Sequence, residues 1–541
     1  MGGLMMKINT LSALVLGLMM AACNDPSIES GTDKKPSVEQ EGITFESVTH
    51  EASRTTITHT PGNGALAFWE TGDYIFVRPT SGAYERSEAG TLNTDKTRGV
   101  FKMPNNGRKY TDQCEVRYTG KNGASANRVT IASSQSQSTA NDFSHAGESG
   151  DCGSAKASGS GQSFKFNLEH KAAYLCFLPR CMNTALGPNI RLTKIVITSL
   201  SGPIAGTYDF SSGNLSTSPI SGSSNTITLT TNNFLLSNTS ANPTMNASYM
   251  VIAPSNAART FKIDYYIKDP VTTVEGAISK TLTLTTKAGE ISDVTANLTP
   301  AADYSSSKYY MWDALENFWY QHEWDVFPES NRWQLTMNGT TTYANFPTSS
   351  DANRWFNPAF TFAAENNATR NAFFKASPNA NMMLWYVKEG DPHWDDQNIW
   401  SMFGHLYCGG MWIKKSTRIA QENSTNVNLM RQSYKGYDYR IESTFITFEN
   451  TNVKPASSLT SKNNYFYLPA LGRLDDMGGG SSHLIGFRMD YIGISALYAG
   501  SSASGWRDEG NIPLYFDRTK LYTDNRWNRY HGMSVQPTWF Y

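Results

Sequence analysis

The chain has 541 residues, a formal net charge of −1 and no long run of charges of one sign. We therefore expect no nucleic acid partner, because binding to phosphates requires clustered Lys and Arg. Six cysteines are too few for a disulfide scaffold of this length, and none of their spacings matches a zinc motif. We expect mostly structural cysteines with at most one or two bridges, no metal and no cofactor.

Residues 1–22 have the layout of a secretory signal peptide. Lys7 supplies a positive charge, the apolar run 11–20 is too short to span a bilayer, and two alanines precede Cys23. A cysteine directly after small residues is typical of a bacterial lipoprotein, in which the acylated thiol becomes the mature N-terminus. The alternative is an accidental cysteine in an ordinary signal peptide. No later apolar run reaches spanning length, so we expect the rest of the chain outside the cytoplasm.

The composition changes near residue 300, where the stretch 299–310 has the character of a linker. Only one of the 13 tryptophans, Trp69, precedes it, and the earlier part is rich in Ser, Thr, Asn and Gly. Short β-branched or aromatic segments separated by turn residues predict one or two β-sandwiches there; they are 191–200, 225–232, 247–254 and 259–269. The Ser- and Gly-rich segment 120–163 is expected to form no core and to be a mobile surface excursion.

The second part, 301–541, has two segments that predict helices. One is 309–325, and the other is 377–390, with Ser377 as its cap, Pro378 in its first turn and Gly390 as its stop. The remainder indicates short strands and long aromatic loops. We therefore expect a mostly β protein with an α+β C-terminal domain.

The stretch 45–77 carries the first resemblance. An Arg-Thr pair begins a strand, a tryptophan follows, and Gly-Asp then leads into a second apolar strand. These features resemble the opening of the fimbrillin family, the building blocks of type V pili in Gram-negative anaerobes. The residues concerned are Arg54, Thr55, Trp69, Gly72 and Asp73.

A later stretch, "FKFNLEHKAAYLCFLP" (164–179), adds the family's pattern of an alternating strand, a histidine and another strand. Considered without the family, these positions have plainer interpretations. Trp69 is a core aromatic, Gly72 belongs to a turn, and His170 is a polar core residue with its hydrogen bonds satisfied.

The fimbrillin resemblance implies a maturation route. In that family an outer-membrane lipoprotein precursor is cut after an early arginine, the first β-strand leaves, and a strand of the next subunit fills the groove. Arg54 and Thr55 lie where that cut would fall, and "ITFESV" (43–48) alternates like a removable strand. The alternative is that Arg54 is an ordinary loop arginine.

The C-terminal part carries a second resemblance. "YFYLPALGR", a late "LYFD" and "RYHGMSVQP" near the end resemble C-type-lectin-like domains, and more closely surface lipoproteins related to the formylglycine-generating enzyme fold. The resemblance implies that the last strand pairs near the start of the domain and that long loops form a binding face. It also allows hypervariable C-terminal loops, with which the composition of 487–531 is compatible.

Catalysis is not expected, although acidic clusters occur at 321–325, 391–396, 474–476 and 506–510. Paired carboxylates can act at a glycosidic bond, and His393 with Asp395 and Asp396 could hold a metal. Adjacent carboxylates, however, mostly mark solvated loops. Cys408 is the only cysteine of this half, whereas the oxidase relatives use a cysteine pair, and the sugar-binding triplets of calcium-dependent lectins are absent.

Binding by exposed aromatic residues is the remaining expectation. Trp312, Trp385, Trp400 and Trp539 lie in runs that suggest burial, whereas two other tryptophans stand in polar loops among hydrogen-bonding neighbours. The alternative is that these loops are surface and their tryptophans plug the fold. The predicted ligand-binding residues are Trp506, Arg507, Asp508, Asn525, Arg526, Trp527 and Asn528.

Together these features predict a tip subunit of a type V pilus that adheres through its lectin-like head to a surface glycan or protein. The predicted parts are a signal peptide (1–22), a lipidated pro-segment with a removable strand (23–54), two fimbrillin-like β-domains (55–175 and 176–300) and a C-type-lectin-like domain (301–541). Its partners would be other pilus subunits, and it would be anchored in the outer membrane before processing. Two alternatives remain: a surface glycan-binding lipoprotein that never polymerises, and a surface glycosidase or hydrolase.

Overall fold

The computed structural model describes residues 42–48, 56–62, 65–336, 345–476 and 487–536. Strands dominate these residues, so the predicted mostly β class is confirmed. Within these ranges, no helix is both long and apolar enough to cross a membrane. Cys23, Arg54, Thr55 and Trp539 lie outside the described residues.

The first sheet wraps around an aromatic core, and its strand order is β5-β4-β8-β11-β12-β1-β7-β6. Alternation in β7 (GVFK) and β12 (SFKF) turns Phe101, Phe164 and Phe166 inward. The strands up to residue 170 are β1 Thr44–Ser47, β2 Thr56–His59, β3 Ala65–Phe68, β4 Phe76–Val77, β5 Glu85–Arg86, β6 Thr91–Leu92, β7 Gly99–Lys102, β8 Cys114–Tyr118, β9 Arg128–Ile131, β10 Ser134–Gln137, β11 Gly153–Ser160, β12 Ser163–Phe166 and β13 Glu169–His170, with helix α1 Ala146–Ser149.

A β-sandwich follows. Its elements are β14 Ala173–Arg180, β15 Arg191–Ser199, β16 Ala205–Asp209, β17 Ser221–Ser224, β18 Thr226–Leu235, β19 Ser248–Ile252, β20 Arg259–Lys268, β21 Glu275–Leu284 and β22 Ile291–Asn297, with helix α2 Pro243–Asn246 and a 3-10 turn Gly187–Asn189. The sheet β10-β18-β15-β20-β21 packs on the sheet β19-β14-β22. Leu175 and Phe177 from one side meet Ile195 and Ile263 from the other in a buried core.

The prediction that 120–163 forms no core is wrong. This segment supplies β9, β10, α1 and β11, and it buries Val129, Ile131 and Phe143 in the core of the sandwich. The physical reason is an unusual pairing with the edge of β19. The buried Gln135 side chain donates to the Val251 carbonyl at 2.7 Å and accepts from the Val251 amide at 3.0 Å. Side-chain amides thus replace a missing strand, which a composition rich in Ser and Gly does not reveal.

The C-terminal part is built around an eight-stranded sheet and a four-stranded sheet, β29-β24-β27-β30. Its strands are β23 Tyr309–Tyr310, β24 His393–Trp394, β25 Ile399–Met402, β26 His405–Cys408, β27 Gly410–Lys414, β28 Thr447–Asn450, β29 Lys454–Pro455, β30 Tyr465–Pro469, β31 Leu471–Asp476, β32 Phe487–Ile492, β33 Ser495–Tyr498, β34 Gly510–Asn511, β35 Leu514–Asp517, β36 Leu521–Asp524, β37 Trp527–Asn528 and β38 Met533–Ser534. The helices are α3 Ala372–Ala376, α4 Ala380–Glu389, α5 Ser416–Glu422 and α6 Val427–Gln432, with 3-10 turns Glu329–Asn331, Tyr439–Ile441, Ala456–Ser458 and Lys462–Asn464.

The helix predicted over 377–390 is confirmed as α4. Its cap is Asn379, whose side chain accepts from the Met382 amide at 3.1 Å, and it ends at Gly390 as expected. Ser377 instead ends the preceding helix α3, since its amide bonds the carbonyls of Phe373 and Phe374 at 3.1 Å.

The helix predicted over 309–325 is wrong. The chain there forms β23 and then a series of turns, with Asp313 in the left-handed region at φ 54°. The buried Asp313 carboxylate accepts from the amides of Thr369 and Asn371, each at 2.8 Å. Hydrogen bonds to a segment more than 50 residues away therefore outweigh the local helical pattern.

The hairpin β25–β26 joins the C-terminal part to the sandwich. Ile399 and Leu406 are buried in the sandwich core. The buried carboxylate of Asp269 accepts from the Leu406 amide at 3.0 Å and contacts His405 Nδ1 at 2.9 Å. The two parts thus share a buried core, and the contacts of Asp269 with His405 and Leu406 also join them.

We expect Gln135→Leu to lower the free energy of unfolding by about 2–4 kcal/mol. The substitution leaves the buried amide and carbonyl of Val251 without their partner, and each such group costs roughly 1–3 kcal/mol. Urea denaturation followed by tryptophan fluorescence measures the effect. Gln162→Leu, at an exposed position, is the matched control, and equal effects in the two variants would contradict the assigned role.

Candidate functional site

Strand β1 fills the core of the first sheet with two inward side chains. The Phe45 ring stacks on Phe164 at a centroid distance of 4.9 Å and meets Tyr110 edge-on at 5.3 Å. The Ser47 hydroxyl accepts from the Trp69 indole nitrogen at 2.8 Å and from the Gly99 amide at 2.9 Å. Phe45 and Ser47 are both buried, so β1 is a structural part of this core.

The backbone of β1 is bonded on both sides. It runs parallel to β12 and antiparallel to β7. The amides of Thr44 and Val48 donate to carbonyls of the β12 side, each at 2.9 Å, and the Ile43 carbonyl accepts from the Met103 amide at 2.9 Å. Loss of β1 would open two strand edges and an aromatic groove, which is the geometry that strand addition requires.

The next strand, β2, does not belong to the first sheet. β2 pairs only with β3 among the described strands, in a separate two-stranded sheet. β1 and β2, which precede and follow Arg54 and Thr55 in the sequence, therefore belong to two different sheets. Trp69 and His170 have the plain roles expected of them: Trp69 is fully buried, and His170 Nδ1 contacts the buried Asp151 carboxylate at 2.9 Å.

The second candidate surface lies on the C-terminal part, where two loops are brought together. Strands β34 and β37 pair, so that Gly510 faces Asn528 and Asn511 faces Trp527. Arg507 Nη1 also donates to the Arg526 carbonyl at 3.3 Å. The two polar loops singled out in the sequence are therefore neighbours in space.

One part of this surface is an aromatic pair flanked by arginines, which we call the Trp506 cluster: Phe445, Trp506, Arg507 and Arg526. The rings of Phe445 and Trp506 are 5.6 Å apart, and the Arg526 guanidinium lies 5.0 Å from the Phe445 ring. Phe445 is 45% exposed, and Trp506 is half-buried. Phe445 was not anticipated, because it is more than 60 residues from Trp506 in the chain.

The other part is a second aromatic group, which we call the Arg473 platform: Arg473, Tyr491, Tyr515 and Trp527. The Arg473 guanidinium lies 4.4 Å from the Tyr491 ring and 5.4 Å from the Trp527 ring. Tyr515 and Trp527 stack at 6.1 Å. Among the described residues, the buried indole nitrogen of Trp527 has no hydrogen-bond partner. The four residues of the platform come from four strands, β31, β32, β35 and β37, and of these residues the sequence alone indicates only Trp527.

The remaining predicted binding residues differ in their exposure. Asp508 is exposed, and Asn528 is half-buried, with its side-chain amide donating to the Tyr530 hydroxyl at 2.6 Å. Asn525 is fully buried. Its side-chain nitrogen donates to the Thr444 carbonyl at 2.7 Å, and its side-chain oxygen accepts from the Ile446 amide at 3.1 Å. Asn525 therefore lies beneath the surface, where it stabilises the loops by hydrogen bonds.

A buried arginine holds the two loops at their base. Arg529 is fully buried, donates to the carbonyls of Gly510 and Asn357 at 2.9 and 2.8 Å, and lies 4.7 Å from the Trp312 ring. Burial lowers the pKa of Arg529 to about 10. Trp312, Trp385 and Trp400 are buried, as the sequence predicted.

The carboxylates of the acidic segment 391–396 form hydrogen bonds and ion pairs within the protein. Asp395 Oδ1 accepts from the amides of Gln397 and Asn398, and its Oδ2 accepts from the Trp412 indole at 2.9 Å. His393 Nε2 lies 3.3 Å from Asp391 rather than beside Asp395. An open cleft of about 730 Å³ is lined by both Asp395 and Asp396, and the Asp396 carboxylate is paired with Arg518 at 3.0 Å.

The described cysteines are all thiols. Cys114, Cys152, Cys176 and Cys181 are buried, and Cys408 is half-buried. Burial raises the pKa of the Cys408 thiol, which does not favour reactivity.

Comparisons with known proteins give distant structural likenesses. The chain is similar to a protein from Bacteroides uniformis that is provisionally described as a cell adhesion protein (14% identity, 49% of this chain and 95% of that chain, TM-score 0.30). It is also similar to the fimbrial anchor protein Mfa2 from Porphyromonas gingivalis (8%, 44% and 81%, TM-score 0.20) and to a fimbrial protein from Bacteroides ovatus (11%, 90% and 99%, TM-score 0.23). No family model and no curated protein matches the chain.

We expect the stability that Asp391 contributes to be lost in acid. Burial alone would raise the pKa of Asp391, but hydrogen bonds from Lys454, Tyr465 and His393 outweigh it and lower the pKa to about 2. The unfolded pKa is about 3.9, so this stability is fully present above about pH 4 to 5 and is lost as the pH falls through about 2. Asp391→Asn should therefore cost about 1–2 kcal/mol near pH 6 and almost nothing near pH 2.

Urea titrations across this pH range measure the difference between the two proteins. Asp396→Asn is the control, because its carboxylate meets the exposed Arg518 at 3.0 Å and should contribute less than about 1 kcal/mol. A cost of Asp391→Asn that is the same at pH 2 and pH 6 would contradict the assignment.

Proposed function

We propose that this chain is a tip subunit of a type V pilus, joined to the fibre through the groove of β1 and adhering through the loops of its C-terminal part. The observation that carries the proposal is the position of β1. β1 has four residues and only two inward side chains, and it lies between β7 and β12 within the sheet. Its removal would leave a groove the width of one strand. Such a groove is filled by an alternating strand from another subunit.

The separation of β1 from β2 supports a cut at Arg54. Because β2 pairs with β3 in another sheet, cleavage between them would free β1 without removing a second strand from the first sheet. Lipidation at Cys23 would then be a temporary anchor in the outer membrane, and the mature chain would begin at Thr55.

The position of β38 supports a C-type-lectin-like head. β38 lies between β23 and β33, and it buries Met533 together with the adjacent Val535. β38 is thus bonded on both sides within its own sheet. Its pairing near the start of the C-terminal part is also the arrangement that a C-type-lectin-like domain would have.

The Trp506 cluster and the Arg473 platform support adhesion. Flat aromatic faces bind sugar rings or protein patches at low entropic cost, and Arg507 and Arg526 add hydrogen-bond donors at the rim. The buried Arg529 holds both loops in place. A surface glycan-binding lipoprotein that keeps its lipid and its first strand is the alternative that the same loops would serve.

We expect surface protein sheared from cells to begin at Thr55. Mass spectrometry of the N-terminal peptide measures this directly, and Arg54→Gln should leave the acylated Cys23 form in the membrane fraction and abolish incorporation into fibres. A wild-type protein that begins only at acylated Cys23 would contradict the pilus proposal and favour the glycan-binding lipoprotein.

We expect Trp506→Ala and Arg526→Ala each to weaken adhesion at least about tenfold, since aromatic and arginine residues in an interface commonly contribute 1–2 kcal/mol or more. An array of immobilised bacterial and host glycans, together with immobilised matrix proteins, is the probe. Tyr266→Ala is the control, because Tyr266 forms a comparable pair with Lys194 (4.1 Å) on the sandwich. Equal binding by all three variants would contradict adhesion through these loops.

A further inference from the structure

Three potential metal ligands from three strands meet where β2 lies against the sandwich. Cys176 on β14 and Asp293 on β22 are register partners on adjacent parallel strands, so their side chains lie side by side on one face. His59, the last residue of β2, reaches over this face, and its Nε2 lies 2.8 Å from Asp293 Oδ1. One potential ligand atom from each of the three side chains lies within 4.8 Å of the others.

The donor set matches the preferences of zinc. Imidazole nitrogen, thiolate sulfur and carboxylate oxygen are the three ligand types that Zn²⁺ uses, at about 2.0–2.3 Å, whereas Ca²⁺ and Mg²⁺ prefer all-oxygen sites. Donors around a tetrahedral zinc are separated by roughly 3.3–3.8 Å, so His59, Cys176 and Asp293 need shifts of about 1 Å or less.

The surroundings hold these side chains in place. The Gly62 amide donates to Asp293 Oδ2 at 2.8 Å, which orients the carboxylate and leaves Oδ1 directed at His59. His59 is only 4% exposed and Cys176 is fully buried, whereas the Asp293 side chain is 26% exposed. Asp293 therefore gives a metal ion access from solvent. Among the described residues, the buried Nδ1 of His59 has no hydrogen-bond partner, so the ring is not held by bonds on both sides.

We propose that His59, Cys176 and Asp293 bind one Zn²⁺ ion, with water in the fourth position, and that the ion ties the β2–β3 hairpin to the sandwich. Binding displaces the thiol proton of Cys176 to solvent and replaces the contact between His59 and Asp293. Water in the fourth position corresponds to three protein ligands and an open site. The proposal does not depend on pilus assembly, since every ligand lies within one chain.

No spacing in the sequence indicates this site. The intervals between His59, Cys176 and Asp293 exceed 100 residues, and only the parallel pairing of β14 with β22 and the return of β2 bring them together. Without metal, the same residues would form a histidine–aspartate contact beside a buried thiol. The zinc content of the purified chain distinguishes these two states.

The full chain is equilibrated with Zn²⁺ at neutral pH, passed through a desalting column, and its metal content is measured by mass spectrometry. We expect one Zn²⁺ per chain in the wild type. Cys176→Ser and His59→Ala should each lower zinc affinity by at least about tenfold. Cys181→Ser, at another buried thiol whose polar contacts are Asn183 and Thr299, should bind zinc like the wild type.

Substitution with Co²⁺ provides a readout that needs no variant. A near-ultraviolet thiolate-to-cobalt absorption band, together with intense visible bands of a four-coordinate ion, is expected from the wild-type chain and not from Cys176→Ser. Asp293 is the most exposed of the three ligands, so Asp293→Asn carries the least risk of unfolding the protein. The zinc content of this variant tests the same site. Absence of zinc from the wild type, or equal zinc in Cys176→Ser, His59→Ala and the wild type, would overturn the proposal.

Discussion

The insertion of β1 between β7 and β12 is the constraint on which the first part of this protein depends. Phe45 and Ser47 complete a core that also contains Trp69, and the indole of Trp69 bonds directly to β1. Burial of one phenylalanine contributes about 1.5–3 kcal/mol, and a few backbone hydrogen bonds add about 1 kcal/mol each. The strand therefore contributes on the order of several kcal/mol to the stability of this core.

Attachment of the C-terminal part to the sandwich depends on a hairpin that enters the sandwich core. The hairpin β25–β26 places Leu406 in the sandwich core, and Asp269 holds the hairpin by its backbone and by His405. The composition near residue 300 indicates a linker, whereas the hairpin makes the two parts share a buried core.

The structure also contains buried polar side chains that form hydrogen bonds with backbone groups of distant segments. Gln135 and Gln137 pair with the edge of β19, and Asp313 gathers the amides of a distant loop. In each case a local pattern indicates one outcome and a distant partner imposes another. A buried amide or carboxylate without such partners would cost more than a helical turn contributes, so the distant contacts prevail.

Local patterns were sufficient for the mostly β class, for α4 with its end at Gly390, and for the burial of Trp312, Trp385 and Trp400. They also indicated the two loops of Trp506 and Trp527, which β34 and β37 bring together. They did not reveal Phe445, Arg473 or Tyr491, which reach those loops from distant positions in the chain.

What the sequence by itself determined is therefore what neighbouring residues decide: strand alternation, helix ends, and polar loops that carry aromatics. The tertiary structure alone decided which segments meet. It placed β1 and β2 in different sheets, made a Ser- and Gly-rich segment part of a core, and aligned Cys176 with Asp293 beneath His59. The physical reason is that alternation depends on adjacent residues, whereas pairing depends on competition among all strands for a limited number of buried edges.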